Sequence, residues 1–171
     1  MNPVRPAQFS DIKAVVAFLL KFNQEWGNPG VSVDKKELEK TMQQVVNMRW
    51  QRLFISTVHG EISGVLAGIT NKIYYSRQKQ VLDLVFCVDP NYKGHGYYLA
   101  RRYLAWARNL KGIAPGEIYL GVTSGLEVDK TSEFYEKLGL ERIGAVYRIG
   151  VKNVESSEII DESYQENRKS A

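Results

Sequence analysis

The feature that most limits the fold is an apolar segment followed at once by a glycine-rich turn and a helix. The segment VLDLVFCV (81–88) is a nearly continuous run of strand-forming residues, as in a strand covered on both faces. DPNYKGHG (89–96) follows, and then YYLARRYLAWARNLK, whose apolar residues recur at helical spacing. A strand that turns directly into a helix directs several unpaired backbone N–H groups to one place, where the helix dipole favours an anion. The sequence therefore predicts a phosphate or diphosphate site in this turn.

The rest of the chain alternates between helical and strand patterns. Helices are predicted where apolar residues recur every three to four positions: residues 12–22, 34–46, 97–111 and 130–138. Strands are predicted where β-favouring residues run together or alternate: residues 4–9, 53–58, 62–69, 81–88, 117–122 and 143–151. His59-Gly60-Glu61 joins two of these strands as a hairpin. Asp129 is the predicted cap of the last helix, and Gly139 is its predicted C-terminal glycine. This order predicts an α/β (α+β) chain, with a mixed sheet and about four helices on its faces.

Cysteine and histidine content excludes two classes of small protein. Cys87 is the one cysteine, so there is no internal disulfide, and two histidines leave too few ligands for a Cys/His zinc site. We therefore expect no metal. The first residues lack the apolar core of a signal peptide, and no apolar run approaches the ~18 residues that span a membrane. We accordingly expect a cytoplasmic protein without a membrane partner.

Charge divides the chain into a basic body and an acidic tail. After Val154, five carboxylates stand against Arg168 and Lys169, which gives −3, so the overall +4 leaves +7 on the body. We expect residues 1–152 to form one domain and residues 153–171 to form a flexible polar tail. No recognition helix or RNA-binding motif accompanies the basic residues, so we do not expect a nucleic-acid partner.

Two common phosphate-binding motifs do not fit the glycine-rich turn. The Walker motif requires Gly-Lys-Ser/Thr, and the chain contains no Gly-Lys pair. The dinucleotide fingerprint requires a small residue where Leu99 stands, and the chain lacks its strand-helix-strand repeat.

Four blocks of the sequence resemble the GNAT N-acetyltransferases. The pattern Val88-x-Pro90-x-x-Lys93-Gly94-x-Gly96 before a helix resembles their acetyl-CoA loop. VRPAQFSD with its helix, ISTVHGEISGVLAG and FYEKLGLERIG resemble the family's first strand and helix, central hairpin and last block, in the same order. The resemblance implies a GNAT-like, largely antiparallel sheet of six to seven strands that splays near its middle and holds acetyl-CoA. It also implies the cofactor-binding residues Phe86, Cys87, Val88, Lys93, Gly94, His95, Gly96, Tyr97 and Tyr98.

The resemblance further implies a direct transfer of acetyl from the CoA thioester to a primary amine. Tyr135 stands where the family's tyrosine acts as the general acid for the leaving thiolate. Asp83 is the only carboxylate inside its strand and is our candidate general base, with a water path as the alternative. A backbone N–H near Cys87 or Val88, where the resemblance implies a bulge, would meet the oxyanion. Cys87 itself has no base in its apolar strand, so we do not expect it to be a nucleophile.

The acceptor amine is left open by the sequence. Trp26, Tyr74, Tyr75 and Tyr147, with Glu25 and Glu37, are the side chains that would suit a cation. A protein lysine, a protein N-terminus and a small amine all stay in contention. The alternative function is a catalytically silent CoA-binding module, which Tyr98 favours because the family has Gly or Ala there. Edge strands in this family often pair, so we also keep a homodimer as a partner hypothesis.

Overall fold

The computed structural model describes residues 3–26, 32–92, 94–122 and 127–144. The chain divides into two units, residues 1–140 and 141–171, and the second is described only at residues 141–144. Most of the strand predicted over 143–151, and all of the predicted tail, therefore lie outside the described residues. The predicted domain boundary after residue 152 stays a prediction.

The described residues of the first unit form five strands and four α-helices. The strands are β1 (Val4–Pro6), β2 (Arg52–Val58), β3 (Glu61–Lys72), β4 (Lys79–Val88) and β5 (Ile113–Ile118). The helices are α1 (Ile12–Trp26), α2 (Lys35–Asn47), α3 (His95–Arg108) and α4 (Val128–Lys137), with a short 3₁₀ turn at Phe9–Asp11. None of the described helices is long and apolar enough to cross a membrane.

The strands form one mixed sheet in the order β1-β2-β3-β4-β5. The pairs β1–β2, β2–β3 and β3–β4 are antiparallel, and β5 runs parallel to β4. The predicted hairpin between β2 and β3 is confirmed, and its turn consists of two residues, because Glu61, predicted as part of it, begins β3. His59 (φ 51°) and Gly60 (φ 87°) both adopt the left-handed conformation that such a turn requires. The predicted mixed, largely antiparallel GNAT-like fold is confirmed over the described residues.

Helices cover both faces of this sheet, which gives two apolar layers. One layer joins α1 and α2 to the sheet and includes Val15, Val16, Met42, Ile55 and Val65. The other joins α3 to the opposite face and includes Phe54, Leu66, Val81, Leu99 and Tyr103. The central strands are therefore apolar on both sides, as VLDLVFCV predicted.

The structure corrects the predicted bounds of β5 and the predicted cap of α4. The sequence predicted a strand at residues 117–122, but β5 ends at Ile118, and residues 119–122 leave the sheet where β4 and β5 diverge. Asp129, the predicted cap, lies in the first turn of α4, and Glu127 holds the N-cap position. The predicted C-terminal glycine is confirmed: Gly139 has φ 81°, and its N–H donates to the carbonyl of Glu136.

Candidate active site

The sheet opens between β4 and β5. β4 pairs with β3 along its whole length, from Lys79 to Val88, but with β5 only at Lys79 and Val81. The last backbone link is the Tyr119 N–H, which donates to the Val81 carbonyl at 2.9 Å. Beyond it, no described residue pairs with the β5-facing backbone of residues 84–88. We call this space, between residues 84–88 and 119–122, the β4–β5 gap.

A bulge in β4 lies at the closed end of the gap. Val85 pairs with Ala67 and Asp83 pairs with Gly68, so Leu84 has no opposite residue. An extra residue reverses the alternation of side chains, which directs Asp83 and Phe86 to the same face of the sheet. Both are near the α3 layer, since Phe86 packs against it and the charge of Asp83 acts on Tyr103. The bulge predicted near Cys87 or Val88 is therefore wrong in position, because the register shift occurs where β5 departs.

Asp83 closes the gap through its side chain. Its Oδ1 accepts a hydrogen bond from the Gly121 N–H at 2.8 Å, which continues the link between the strands after their backbones separate. Burial raises the pKa of the Asp83 carboxyl, and hydrogen bonds from the backbone N–H groups of Gly121 and Asp83 oppose that rise. No Lys or Arg among the described residues forms an ion pair with it. Asp83 is thus a half-buried carboxylate without a cationic partner in the described part of the chain.

Tyr135 contacts Gly121 at its carbonyl, whereas Asp83 contacts the N–H of the same residue. Only 8% of Tyr135 is exposed, and its hydroxyl donates to the Gly121 carbonyl at 3.2 Å. Its ring stacks on Phe86 with centroids 6.5 Å apart. Burial, and then the charge of Asp83, raise the pKa of the Tyr135 hydroxyl, so it holds its proton at neutral pH. Asp83 and Tyr135 therefore meet through Gly121, 38 residues from one and 14 from the other.

The turn after β4 forms the open end of the gap, and we call residues 89–96 the glycine loop. Asp89 Oδ1 accepts from the N–H of Asn91, and the Tyr92 N–H donates to the Asp89 carbonyl, which folds the chain back on itself. Gly94 then adopts φ 100° as the N-cap of α3, a left-handed conformation in which a residue with a side chain would be strained. None of the described residues accepts a hydrogen bond from the Gly96 N–H, so this donor of the first helical turn is available to an anion. Lys93 lies outside the described residues.

The two tyrosines that follow the loop are exposed. Tyr97 and Tyr98 are 41% and 47% exposed and face each other edge to face. The Arg101 guanidinium lies over the Tyr97 ring at 5.6 Å, and its Nη1 donates to the Tyr97 hydroxyl at 3.3 Å. The sequence did not select Arg101, although its spacing of four residues from Tyr97 is the available signal. It adds a cation one turn beyond the glycine loop.

A buried hydroxyl chain holds His95 to the sheet. The Oγ atoms of Ser56 on β2 and Ser63 on β3 lie 3.0 Å apart, and both residues are buried. Ser63 Oγ also lies 2.9 Å from His95 Nδ1, while the His95 ring contacts Tyr92. With Nδ1 occupied, Nε2 is the ring nitrogen without a partner among the described residues. Sequence reasoning missed both serines, whose only signal was their polarity within apolar strands.

Cys87 lies in the α1–α2 layer, and its thiol is unreactive at neutral pH. It packs beside that layer, half-buried, and burial raises the pKa of its thiol to about 12. A thiol with this pKa is protonated at neutral pH and is a poor nucleophile. Among the described residues, no group of three or more His, Cys, Asp or Glu side chains is placed to hold a metal ion.

The side chains proposed for the acceptor do not gather in one place. Tyr74 and Tyr75 are 94% and 75% exposed in the β3–β4 turn, at the end of β4 away from the glycine loop. Glu37 lies in the first turn of α2 and pairs with Lys40. Trp26 ends α1, and Tyr147 is outside the described residues.

Glu25 does line a cleft of about 430 Å³ between α1, the β2–β3 hairpin and the glycine loop. Phe18, Phe22, Glu61, Asp89 and Tyr92 also line this cleft.

Comparisons with known proteins support the fold. No protein-family model matches the sequence, and no curated protein matches it. Among solved structures, an aminoglycoside acetyltransferase from an uncultured soil metagenomic sample superposes with a TM-score of 0.63 at 18% identity, over 86% of this chain and 95% of that one. An acetyltransferase of Trypanosoma brucei gives 0.63 at 19% identity, over 86% and 98%. A transcriptional regulator of Bacillus halodurans gives 0.67 at 16% identity, over 86% and 97%. The chain therefore has the fold of the GNAT acetyltransferases, and proteins with differently described functions share it.

Proposed function

We propose that this protein is an acetyl-CoA-dependent N-acetyltransferase that acetylates a primary amine. The observation that carries the proposal is the β4–β5 gap, with Asp83 and Tyr135 at its closed end and the glycine loop at its open end. One extended ligand can occupy both ends only if it is long, has an anionic group and places its reactive group beside β4. Acetyl-CoA has this arrangement, and the acetyltransferases among the solved structures support the choice.

The residues present fit such a ligand. The β5-facing edge of residues 84–88, which has no strand partner in the part of the chain that the structure describes, offers backbone N–H and C=O groups to the amides of a pantetheine arm. Gly94 and Gly96 leave room for a diphosphate beside the α3 N-terminus, where Arg101 adds positive charge. When bound, acetyl-CoA supplies a thioester carbonyl for attack by the amine. A backbone N–H near Cys87 or Val88 stays our prediction for the donor to its oxygen.

Asp83 would accept the proton that the amine must lose. A lysine-type amine with pKa ~10.4 lies about 3.4 units above pH 7, so its neutral form costs roughly 4.6 kcal/mol. The raised pKa of Asp83 brings it closer to the pKa of the amine and makes the carboxylate a better proton acceptor. A weakly basic amine places a smaller demand on the base, and there a water path serves.

Tyr135 would donate a proton to the departing CoA thiolate. Its raised pKa keeps the hydroxyl protonated before reaction, but it also makes the donation more uphill. The hydroxyl must release the Gly121 carbonyl, which is a long hydrogen bond at 3.2 Å. The gain from this acid is therefore moderate, about 10²-fold.

A CoA-binding module without turnover is the second candidate. It is favoured by the way Gly121 already engages both catalytic candidates, one through its N–H and one through its carbonyl. Such a protein would bind CoA with the same residues and leave every amine unchanged.

The cleft beside Glu25 lies apart from the proposed base. It is lined by α1, the β2–β3 hairpin and the glycine loop, whereas Asp83 lies at the closed end of the gap and faces the α3 layer. An amine bound in this cleft could not give its proton to Asp83, so the acceptor amine stays open.

The decisive experiment has two parts. Calorimetry with CoA tests the site, and absence of binding by folded protein would overturn both candidate functions. Thiol release from acetyl-CoA is then measured over polyamines, aminoglycosides and lysine or N-terminal peptides, with labelled acetyl-CoA and mass spectrometry to identify the product. Amine-dependent release supports the enzyme, whereas CoA binding without release across the panel supports the silent module.

A further inference from the structure

A group of cations that have no ion-pair partner among the described residues lies at the end of the sheet opposite the glycine loop. Three segments meet there: residues 47–53 before β2, residues 70–81 across the β3–β4 turn, and residues 108–116 after α3. Lys79 links them, because it pairs with Lys72 and Ile113 and its N–H donates to the Gly112 carbonyl. We call the cations of these segments the basic pole: Arg49, Arg52, Lys72, Arg77, Lys79, Arg108 and Lys111.

No carboxylate in these segments neutralises the pole. The three segments contain no Asp or Glu, and none of the seven cations forms an ion pair within the described chain. Glu117, which directly follows the third segment, accepts a hydrogen bond from the neutral Tyr119 hydroxyl and so keeps its single negative charge, against seven cations in the pole. The pole therefore presents a local positive potential that the net charge of the chain does not reveal.

The fold also brings like charges together within the pole. Lys72 and Lys79 are directly opposite each other on antiparallel strands, an arrangement that is unfavourable without an anion. The Lys79 ammonium lies 4.2 Å and the Arg49 guanidinium 5.2 Å from the centroid of the Trp50 ring. The Trp50 ring thus holds two cations beside a third.

Exposed aromatic rings border these cations. Tyr74 and Tyr75 follow Lys72 by two and three residues, pack edge to face with centroids 4.7 Å apart, and expose most of their surface. Large exposed rings beside phosphate-binding cations are the elements with which proteins hold single strands, because bases stack on the rings while the backbone follows the cations.

We propose that the basic pole, with Tyr74 and Tyr75, binds single-stranded nucleic acid without strong sequence preference. A single strand fits better than a duplex, because the rings stand in a turn and no described helix projects from the pole to enter a groove. The inference does not depend on the proposed acetyltransferase activity, since the pole lies at the other end of β4. It also runs against our expectation from sequence, which considered only motifs and the charges along one helix.

Fluorescence anisotropy with labelled oligothymidine and oligouridine tests the proposal. The parent protein should bind both, with affinity that falls steeply as salt rises. Lys72→Gln/Lys79→Gln should bind about tenfold more weakly and lower the salt slope by about 1.4, at ~0.7 for each lost contact to a single strand. Lys35→Gln/Lys36→Gln on α2 removes the same charge far from the pole and should match the parent.

Tyr74→Ser provides the second arm. It should weaken single-strand binding at least fivefold while leaving the salt slope unchanged, because it removes stacking and no charge. Circular dichroism and denaturant unfolding of each variant establish that the fold is intact. The proposal is overturned if the parent binds neither oligonucleotide at about 50 mM salt, if the pole variant equals the α2 control, or if duplex binds as tightly and Tyr74→Ser has no effect. Binding to phosphatidylserine vesicles without oligonucleotide binding would assign the pole to a membrane surface instead.

Discussion

At its first residues β4 has a strand on each side, whereas from Leu84 onward the described residues place a strand on one side only. At Lys79 and Val81 the strand pairs with both β3 and β5, and the Lys79 N–H and the Val81 carbonyl form hydrogen bonds with Gly112 and Tyr119. At residues 84–88 the β5-facing edge has no partner in the described chain, and the loop that follows exposes helix N–H donors. One strand thus presents charged side chains at the end where its backbone is paired on both sides, and backbone N–H and C=O groups at the end where only β3 pairs with it in the described chain.

The largest effect that would test this comparison is expected from Asp83→Asn. Asparagine keeps an oxygen for the Gly121 N–H but loses the basicity of the carboxylate. Turnover of a strongly basic amine should fall about 10²- to 10³-fold at neutral pH, and the rise of the rate with pH should flatten. Glu133→Gln, an exposed carboxylate on α4, should leave the pH–rate profile unchanged. A parent-like profile for Asp83→Asn would remove Asp83 as the base and favour the water path.

Tyr135→Phe should lower turnover about 10²-fold while CoA binding stays unchanged. The matched control is Tyr103→Phe, because Tyr103 is also a buried tyrosine whose hydroxyl donates to a carbonyl of the same segment, that of Tyr119 at 2.7 Å. Each change should reduce the free energy of unfolding by about 1 kcal/mol, but only Tyr135→Phe should slow the chemical step. Equal turnover in the two variants would leave Tyr135 with a structural role alone.

Gly94→Ala should weaken CoA binding about tenfold, because a side chain at φ 100° costs roughly 1–2 kcal/mol and shifts the glycine loop. Gly112→Ala carries the same kind of strain (φ 80°), and at both positions the added methyl group has open space. Gly112 lies beside Lys79 at the other end of β4, so calorimetry should give parent-like CoA affinity for that variant. A similar loss from both changes would show that CoA affinity reports overall stability rather than the loop.

Ser63→Ala should raise the dissociation constant for CoA about threefold to fivefold by releasing His95 Nδ1, a loss of about one hydrogen bond. Turnover with acetyl-pantetheine, which lacks the diphosphate, should not change. Ser56→Ala keeps the Ser63–His95 contact and should have a smaller effect. If acetyl-CoA and acetyl-pantetheine are affected alike, the hydroxyl chain acts on the sheet and not on the anion site.

The smallest effect concerns stability. Because the pKa of Asp83 is raised above its ordinary value of 3.8, the folded state holds its proton at a pH where the unfolded state has lost it. The stabilisation of the folded state by protonated Asp83 is therefore complete below pH 3.8, and it is lost as the pH rises through the raised pKa. Denaturant unfolding over this range should show that the free energy of unfolding of Asp83→Asn increases relative to that of the parent as pH rises. A constant difference would mean that Asp83 has similar pKa values in both states.

Local structure around the site was predictable because short-range constraints control it. The apolar run and glycines of residues 81–96 predict a strand, a turn and a helix, and the structure has β4, Gly94 in a left-handed conformation and α3. His59-Gly60 and Gly139 likewise predict their turns, since few residues tolerate a positive φ. Asp83 and Tyr135 were selected from the strand pattern and the family resemblance, and the structure brings both to Gly121.

What the tertiary structure decided depends on strand register and on residues distant in sequence. The bulge at Leu84 and the early end of β5 follow from how three strands fit together, a fit that no one segment encodes. Ser56, Ser63 and His95 meet because β2, β3 and the start of α3 come together. The cations of the basic pole are dispersed over 63 positions, from Arg49 to Lys111, and only folding gathers them. Backbone conformation is fixed by neighbours along the chain, whereas pairing and charge proximity are fixed by neighbours in space.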